Sequence, residues 1–90
     1  MKRVHLIISG DVVGVGFRSW TLRLARTLSL TGWVKNREDN AVEIVAEGPR
    51  NALEDLVSAC QKGPEVAWDE NVRSTWEEAT GEFLGFEVLY

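Results

Sequence analysis

The stretch GWVKNREDNAVEIVAEG, Gly32 to Gly48, decides how the rest of the chain is arranged. Two β-prone runs, GWVKN and AVEIVAEG, are separated only by Arg37, Glu38, Asp39 and Asn40. Asp and Asn tolerate the left-handed backbone that a tight turn demands. The spacing therefore predicts a β-hairpin. Both flanks of the hairpin read as helices. Upstream, Phe17, Thr21, Leu24, Ala25 and Leu28 recur at helical spacing, Arg23 and Arg26 fall on the outer face, and the pattern fades from Ser29 to Gly32. Downstream, Pro49 suits a first helical turn, Leu53, Leu56, Val57 and Cys60 form an apolar stripe, and Gly63-Pro64 stops it.

Further out, Val4, Leu6 and Ile8 alternate with His5, Ile7 and Ser9, which predicts a strand partly covered on both faces. At the other end, Val72, Ser74 and Trp76 form one alternation and Phe86, Val88 and Tyr90 another, one or two strands around a break at Thr80 and Gly81. The order is β-α-β-β-α-β, with room for an extra C-terminal strand. That order is the split βαβ, ferredoxin-like α+β sandwich, with two helices on one face of an antiparallel sheet. In this topology the first two strands run parallel with the third between them, so loop 10–18 meets Asn36 across about 10 Å, two strand spacings.

Length and composition agree with one core. Ninety residues make a single domain, 1–90, and 44 % hydrophobic content with four Trp and three Phe fills it without disulfides. One Cys and one His allow neither an internal disulfide nor a zinc set, so the expectation is a reducing, cytoplasmic protein without metal or cofactor. The apolar run after the basic start is too short and too regularly alternating for a signal peptide or a membrane span. A net charge of −4 argues against nucleic acid as partner, yet residues 1–37 carry seven Lys or Arg and one Asp, and the remainder carries the opposite excess. The basic part contains the glycine loop. Its charge reads either as a field suited to a small anion or as an uneven solvated surface.

The segment SGDVVGVGFRSW, Ser9 to Trp20, poses the functional question. Gly14 and Gly16 free the backbone so that successive N–H groups of Val13, Gly14, Val15, Gly16, Phe17 and Arg18 can converge on an anion. Arg18 falls at the start of a helix, where its charge opposes the helix dipole unless an anion sits between them. On residues alone the loop reads either as such a nest or as a tight strand-to-helix turn with a surface arginine.

GDVVGVGFR, Gly10 to Arg18, resembles the acylphosphatase signature G-x-V-Q-G-V-G-F-R, and LSLTGWVKN, Leu28 to Asn36, followed by Asp39, resembles that family's second signature. Gly48-Pro49, Gly63-Pro64 and the terminal GFEVLY extend the similarity over essentially the whole chain. The resemblance implies hydrolysis of the carboxyl–phosphate bond of small acyl phosphates, without metal or cofactor. Arg18 would bind the phosphoryl group, residues 13–18 would cradle it through backbone N–H groups, and Asn36 would orient the attacking water. Inorganic phosphate or sulfate would occupy the same place. Val13 stands where the family usually has Gln, and Asn40 where it has a turn Gly. The alternatives are a non-hydrolytic acyl or carbamoyl phosphate-binding module and a ferredoxin-like RNA- or protein-binding module. The first strand offers no basic, aromatic platform for RNA. A monomer is expected, with neither nucleic acid nor membrane as partner, His5 and the tryptophans in structural roles, and Cys60 in the core.

Overall fold

The hairpin forms where the sequence places it, and the sheet extends from both of its strands. The computed structural model describes residues 1–11, 16–39, 41–62 and 68–89. In chain order these form β1 (Lys2–Asp11), α1 (Phe17–Thr27), β2 (Thr31–Asn36), β3 (Val42–Gly48), α2 (Arg50–Lys62), β4 (Trp68–Glu78) and β5 (Phe86–Leu89). The strands make one sheet in the order β4-β1-β3-β2-β5. β3 is antiparallel to both β1 and β2, so those two run parallel on either side of it. Both C-terminal strands are present. The expected antiparallel pairing holds for β1–β3, β1–β4 and β2–β3, and the extra C-terminal strand β5, pairing parallel with β2, makes the sheet mixed.

Register explains the core. Val4, Leu6 and Ile8 of β1, Val34 of β2, and Val42, Ile44 and Ala46 of β3 are buried on the same face. The helices cover that face. α1 sets Phe17, Thr21 and Ala25 against β2 and β5, while α2 sets Leu53, Leu56 and Cys60 against β1, β3 and β4. Burying each large aliphatic or aromatic side chain contributes about 1.5–3 kcal/mol, which offsets the ordering of the backbone around it. Trp20 leans on Phe17 with ring centroids 5.2 Å apart. Trp33 lies on the open face under Lys35, and Trp76 lies under Arg50.

Local chemistry sets the element ends. α1 stops in a Schellman arrangement, with Leu30 N–H donating to the Ala25 carbonyl at 2.9 Å and Ser29 N–H to Arg26 at 3.1 Å. Ser29 takes the left-handed conformation there, φ 59°. In the hairpin, Arg37 N–H donates to the Ala41 carbonyl at 2.7 Å and Ala41 N–H to Asp39 Oδ1 at 3.3 Å, an Asx turn. Asn40, and the Gly63-Pro64 stop beyond Lys62, lie outside the described residues. Gly32 is required by contact as well as conformation. It sits at φ 137°, and a Cβ there would come 1.9 Å from the Val45 carbonyl oxygen of β3.

The chain must cross the whole sheet between β4 and β5, which occupy opposite edges. Four strand spacings are about 19 Å, within the reach of residues 79–85. A buried carboxylate secures the crossing. Glu47, 4 % exposed at the end of β3, accepts from Arg3 Nε at 2.8 Å, Thr80 N–H at 2.9 Å, the Thr80 hydroxyl at 3.2 Å and Gly81 N–H at 3.0 Å. Burial pushes its pKa up, but these donors outweigh burial and hold the carboxyl at about 2. Arg3 also pairs with Glu82, and Lys2 with Glu78.

Candidate active site

One cross-strand row brings the two signature regions together. Ile8 of β1 pairs with Val42 of β3, and Val42 pairs with Asn36 of β2. Paired residues share a face, so Asn36 lies on the helix-covered side, at the same level as Ile8 and two strands away. Val34, two residues earlier on that side, is fully buried, whereas Asn36 at the strand's end is half-buried. Only residues 12–16 separate the end of β1 from Phe17, so α1 starts at this same end of the sheet. β1 also shifts register against β4 between Ser9 and Gly10, near the end of the strand.

The start of α1 suits an anion. Its N-cap is Gly16, at φ 77° and ψ 18°, and among the described residues no side chain caps the helix. The first turn contains no acidic residue. The N–H groups of the first turn and the positive end of the helix dipole there favour an anion. Gly16 suits this position because it enters the left-handed region without the clash of a Cβ. Of the loop residues expected to form the cradle, Gly16, Phe17 and Arg18 are described; Val13, Gly14 and Val15 lie outside the described residues. Phe17 has a second role, because its ring is 1 % exposed and anchors the helix start in the core. Arg18, the next residue, is half-buried.

Beside Asn36 lies a cleft of about 690 Å³ lined by Lys35, Asn36, Arg37, Glu38, Asp39 and Glu43. Arg37 Nε is 3.3 Å from Asp39 Oδ1, and Lys35 Nζ is 3.9 Å from Glu43 Oε1. Glu43 also meets His5 Nε2 at 2.6 Å. His5 has no partner near it in sequence, and the β1–β3 register supplies one. Of the seven basic residues in 1–37, Lys2 and Arg3 are paired with acids at the far end, Arg23 and Arg26 lie along α1, and Lys35 and Arg37, each beside an acid, line the cleft at Asn36, with Arg18 at the start of α1. Among the described residues no group of three His, Cys, Asp or Glu side chains could hold a metal ion.

The fold and these placements define a class: a ferredoxin-like sandwich in which a glycine-capped helix start and an asparagine lie at the shared C-terminal end of two parallel strands. Comparison with known proteins narrows that class. Residues 4–88 match the acylphosphatase family. The chain is 49 % identical over 87 residues to an acylphosphatase of Salinibacter ruber, covering 97 % of this chain and 92 % of that protein. It is 47 % identical over 88 residues to one of Pelotomaculum thermopropionicum, covering 98 % and 96 %. The crystal structure of acylphosphatase from Bacillus subtilis matches its fold with a TM-score of 0.95 at 38 % identity, over 100 % of both chains. The chain belongs to the acylphosphatase family.

Proposed function

We propose that the acylphosphatase activity of this chain, hydrolysis of the carboxyl–phosphate bond to a carboxylate and inorganic phosphate, proceeds by in-line attack of a water that Asn36 orients. Arg18 and the backbone N–H groups of residues 13–18 hold the phosphoryl group. The observation that carries this reading is the row Ile8–Val42–Asn36, which sets the asparagine at the end of the sheet where α1 begins. The guanidinium fork matches two phosphoryl oxygens, and the helix start adds N–H donors and the favourable end of its dipole. A carboxylate leaves readily, so positioning and charge stabilisation supply the catalysis and no side chain need act as nucleophile. The Asn36 amide accepts from the water through its oxygen, or donates to the transferring oxygens through its nitrogen, while staying neutral beside an anionic substrate.

The protein acts as a single domain and as a monomer in a reducing compartment, the cytoplasm. Met1 and Leu84 are the exposed large hydrophobics among the described residues, which suits a monomer. Steady-state turnover of benzoyl phosphate, with inorganic phosphate as inhibitor, tests the mechanism. Competitive inhibition is expected, because product and substrate share one cradle. A folded protein that binds the acyl phosphate without turning it over is a binding module, and the proposal then fails.

A further inference from the structure

The helices leave one face of the sheet open, and two arginines outside the signatures flank a groove on it. Its floor is Ile7 and Ser9 of β1, and its walls are Arg73 of β4 on one side and Arg37 with Asp39 on the other, enclosing about 330 Å³. Register builds this. Arg73 stands directly beside Ile7 across the β1–β4 pair, and Arg37 follows Asn36 where β2 ends. The groove continues into the cleft at Asn36, because Arg37 and Asp39 line both.

Charge pairing singles out Arg73. On the open face Arg3 is held by Glu47, His5 and Lys35 share Glu43, and Arg37 is held by Asp39. Arg73 is exposed, and no ion pair or hydrogen bond joins it to any described residue. An exposed guanidinium beside a half-buried isoleucine suits a short carbon chain ending in an anion: the methylene or ring carbons lie on Ile7, and the fork takes two oxygens. β2 and β4 are three strand spacings apart, about 14 Å, and Asn36 faces the helix-covered side while Arg73 faces the open one, so an acyl portion of several carbons reaches the extended arginine side chain by passing the end of the sheet beside Arg37 and Asp39.

We propose that this groove is the acyl-group subsite, and that Arg73 selects acyl phosphates whose acyl portion carries a second anionic group. The proposal rests on placing the phosphoryl group at Arg18 and Asn36, as argued above. Arg73 does not touch the reacting atoms; it sets which substrate is preferred.

The test compares benzoyl phosphate with 4-carboxybenzoyl phosphate, a rigid pair in which only the second carries the distal carboxylate. Wild type should favour the carboxylate substrate in kcat/KM by about 10-fold, the scale of one charge-assisted hydrogen bond in an open groove. Arg73→Gln should remove that preference and leave benzoyl phosphate turnover unchanged. Comparing the two enzymes cancels the intrinsic reactivities of the substrates. Arg73→Lys should keep part of the preference, because charge remains without the fork, and added salt should weaken it in wild type. A wild type that turns over both substrates without preference overturns the subsite alone, as does an Arg73→Gln enzyme whose preference matches wild type. If wild type turns over neither substrate, the placement of the phosphoryl site fails and the subsite fails with it.

Discussion

Replacing Glu47 by Gln should weaken the fold by about 3 kcal/mol without touching the chemistry. The carboxylate receives three donors on Oε2, from Arg3, the Thr80 N–H and the Thr80 hydroxyl, and one on Oε1, from Gly81 N–H. Glutamine has one acceptor oxygen. With that oxygen facing the three donors, its NH₂ confronts the Gly81 N–H and leaves a buried donor unsatisfied, at about 1–3 kcal/mol. The remaining bonds lose their charge assistance, each dropping from about 1.5–3 to about 1 kcal/mol in net worth, and Arg3 keeps Glu82 as a partial replacement. Breaking a buried ion pair costs about 3–5 kcal/mol, so the sum sits at the lower end of that range. For a domain of this size about 3 kcal/mol lowers Tm by about 12–24 °C. Thermal and urea unfolding at pH 7 measure it.

The pH dependence of unfolding supplies a second readout. The carboxyl titrates at about 2 in the folded protein against 4.5 ordinarily, so the stability it provides is complete above about 4.5 and is lost as pH falls toward 2. Wild type should lose stability across that window, and the glutamine variant should lack this component. Because the network joins the N-terminal end of β1 to the C-terminal end of β3, away from Asn36, kcat/KM of the folded variant should equal wild type. A change under about 0.5 kcal/mol, the level of an ordinary surface substitution, would refute the account of the crossing.

At the site, Arg18→Lys should lose about 10³-fold in kcat/KM, almost as much as Arg18→Ala, because a point charge cannot replace the two-pronged grip on phosphoryl oxygens; near-normal kinetics would show that charge alone suffices. Asn36→Ala should lower kcat by about 10²- to 10³-fold with the phosphate inhibition constant nearly unchanged, whereas Asn36→Asp should lose both rate and phosphate affinity. An alanine variant that keeps kcat and loses only affinity would make Asn36 a binding residue. Thr21 is fully buried in α1 with its hydroxyl unpartnered among the described residues, so Thr21→Val should stabilise the protein by about 1 kcal/mol in urea unfolding; destabilisation would mean that the hydroxyl has a partner.

Local sequence patterns are enough to place the helices, the hairpin and the strands. The apolar spacing of Phe17, Thr21 and Ala25, the stripe Leu53, Leu56 and Cys60, and the Asp39 turn are local patterns, so hydrophobic periodicity and turn chemistry are enough to place them. The order of the elements predicts that Asn36 lies at the end of the sheet where β1 leads toward α1, and the row through Val42 sets Asn36 level with Ile8. Tertiary structure decided what depends on register between distant strands. Nothing in AVEIVAEG singles out Glu47, and it is 4 % exposed because the chain crosses the sheet over it. Gly32 reads as a helix stop, and its real constraint is the Val45 carbonyl on the neighbouring strand. His5 acquires Glu43 from β3, and Arg73 reaches the groove because β4 pairs Arg73 with Ile7. β5 turns the sheet mixed by crossing to the far edge beside β2. Periodicity tells each residue which face of its own element it occupies, but its neighbours on that face come from other strands, and a slip of one residue in pairing would exchange them all.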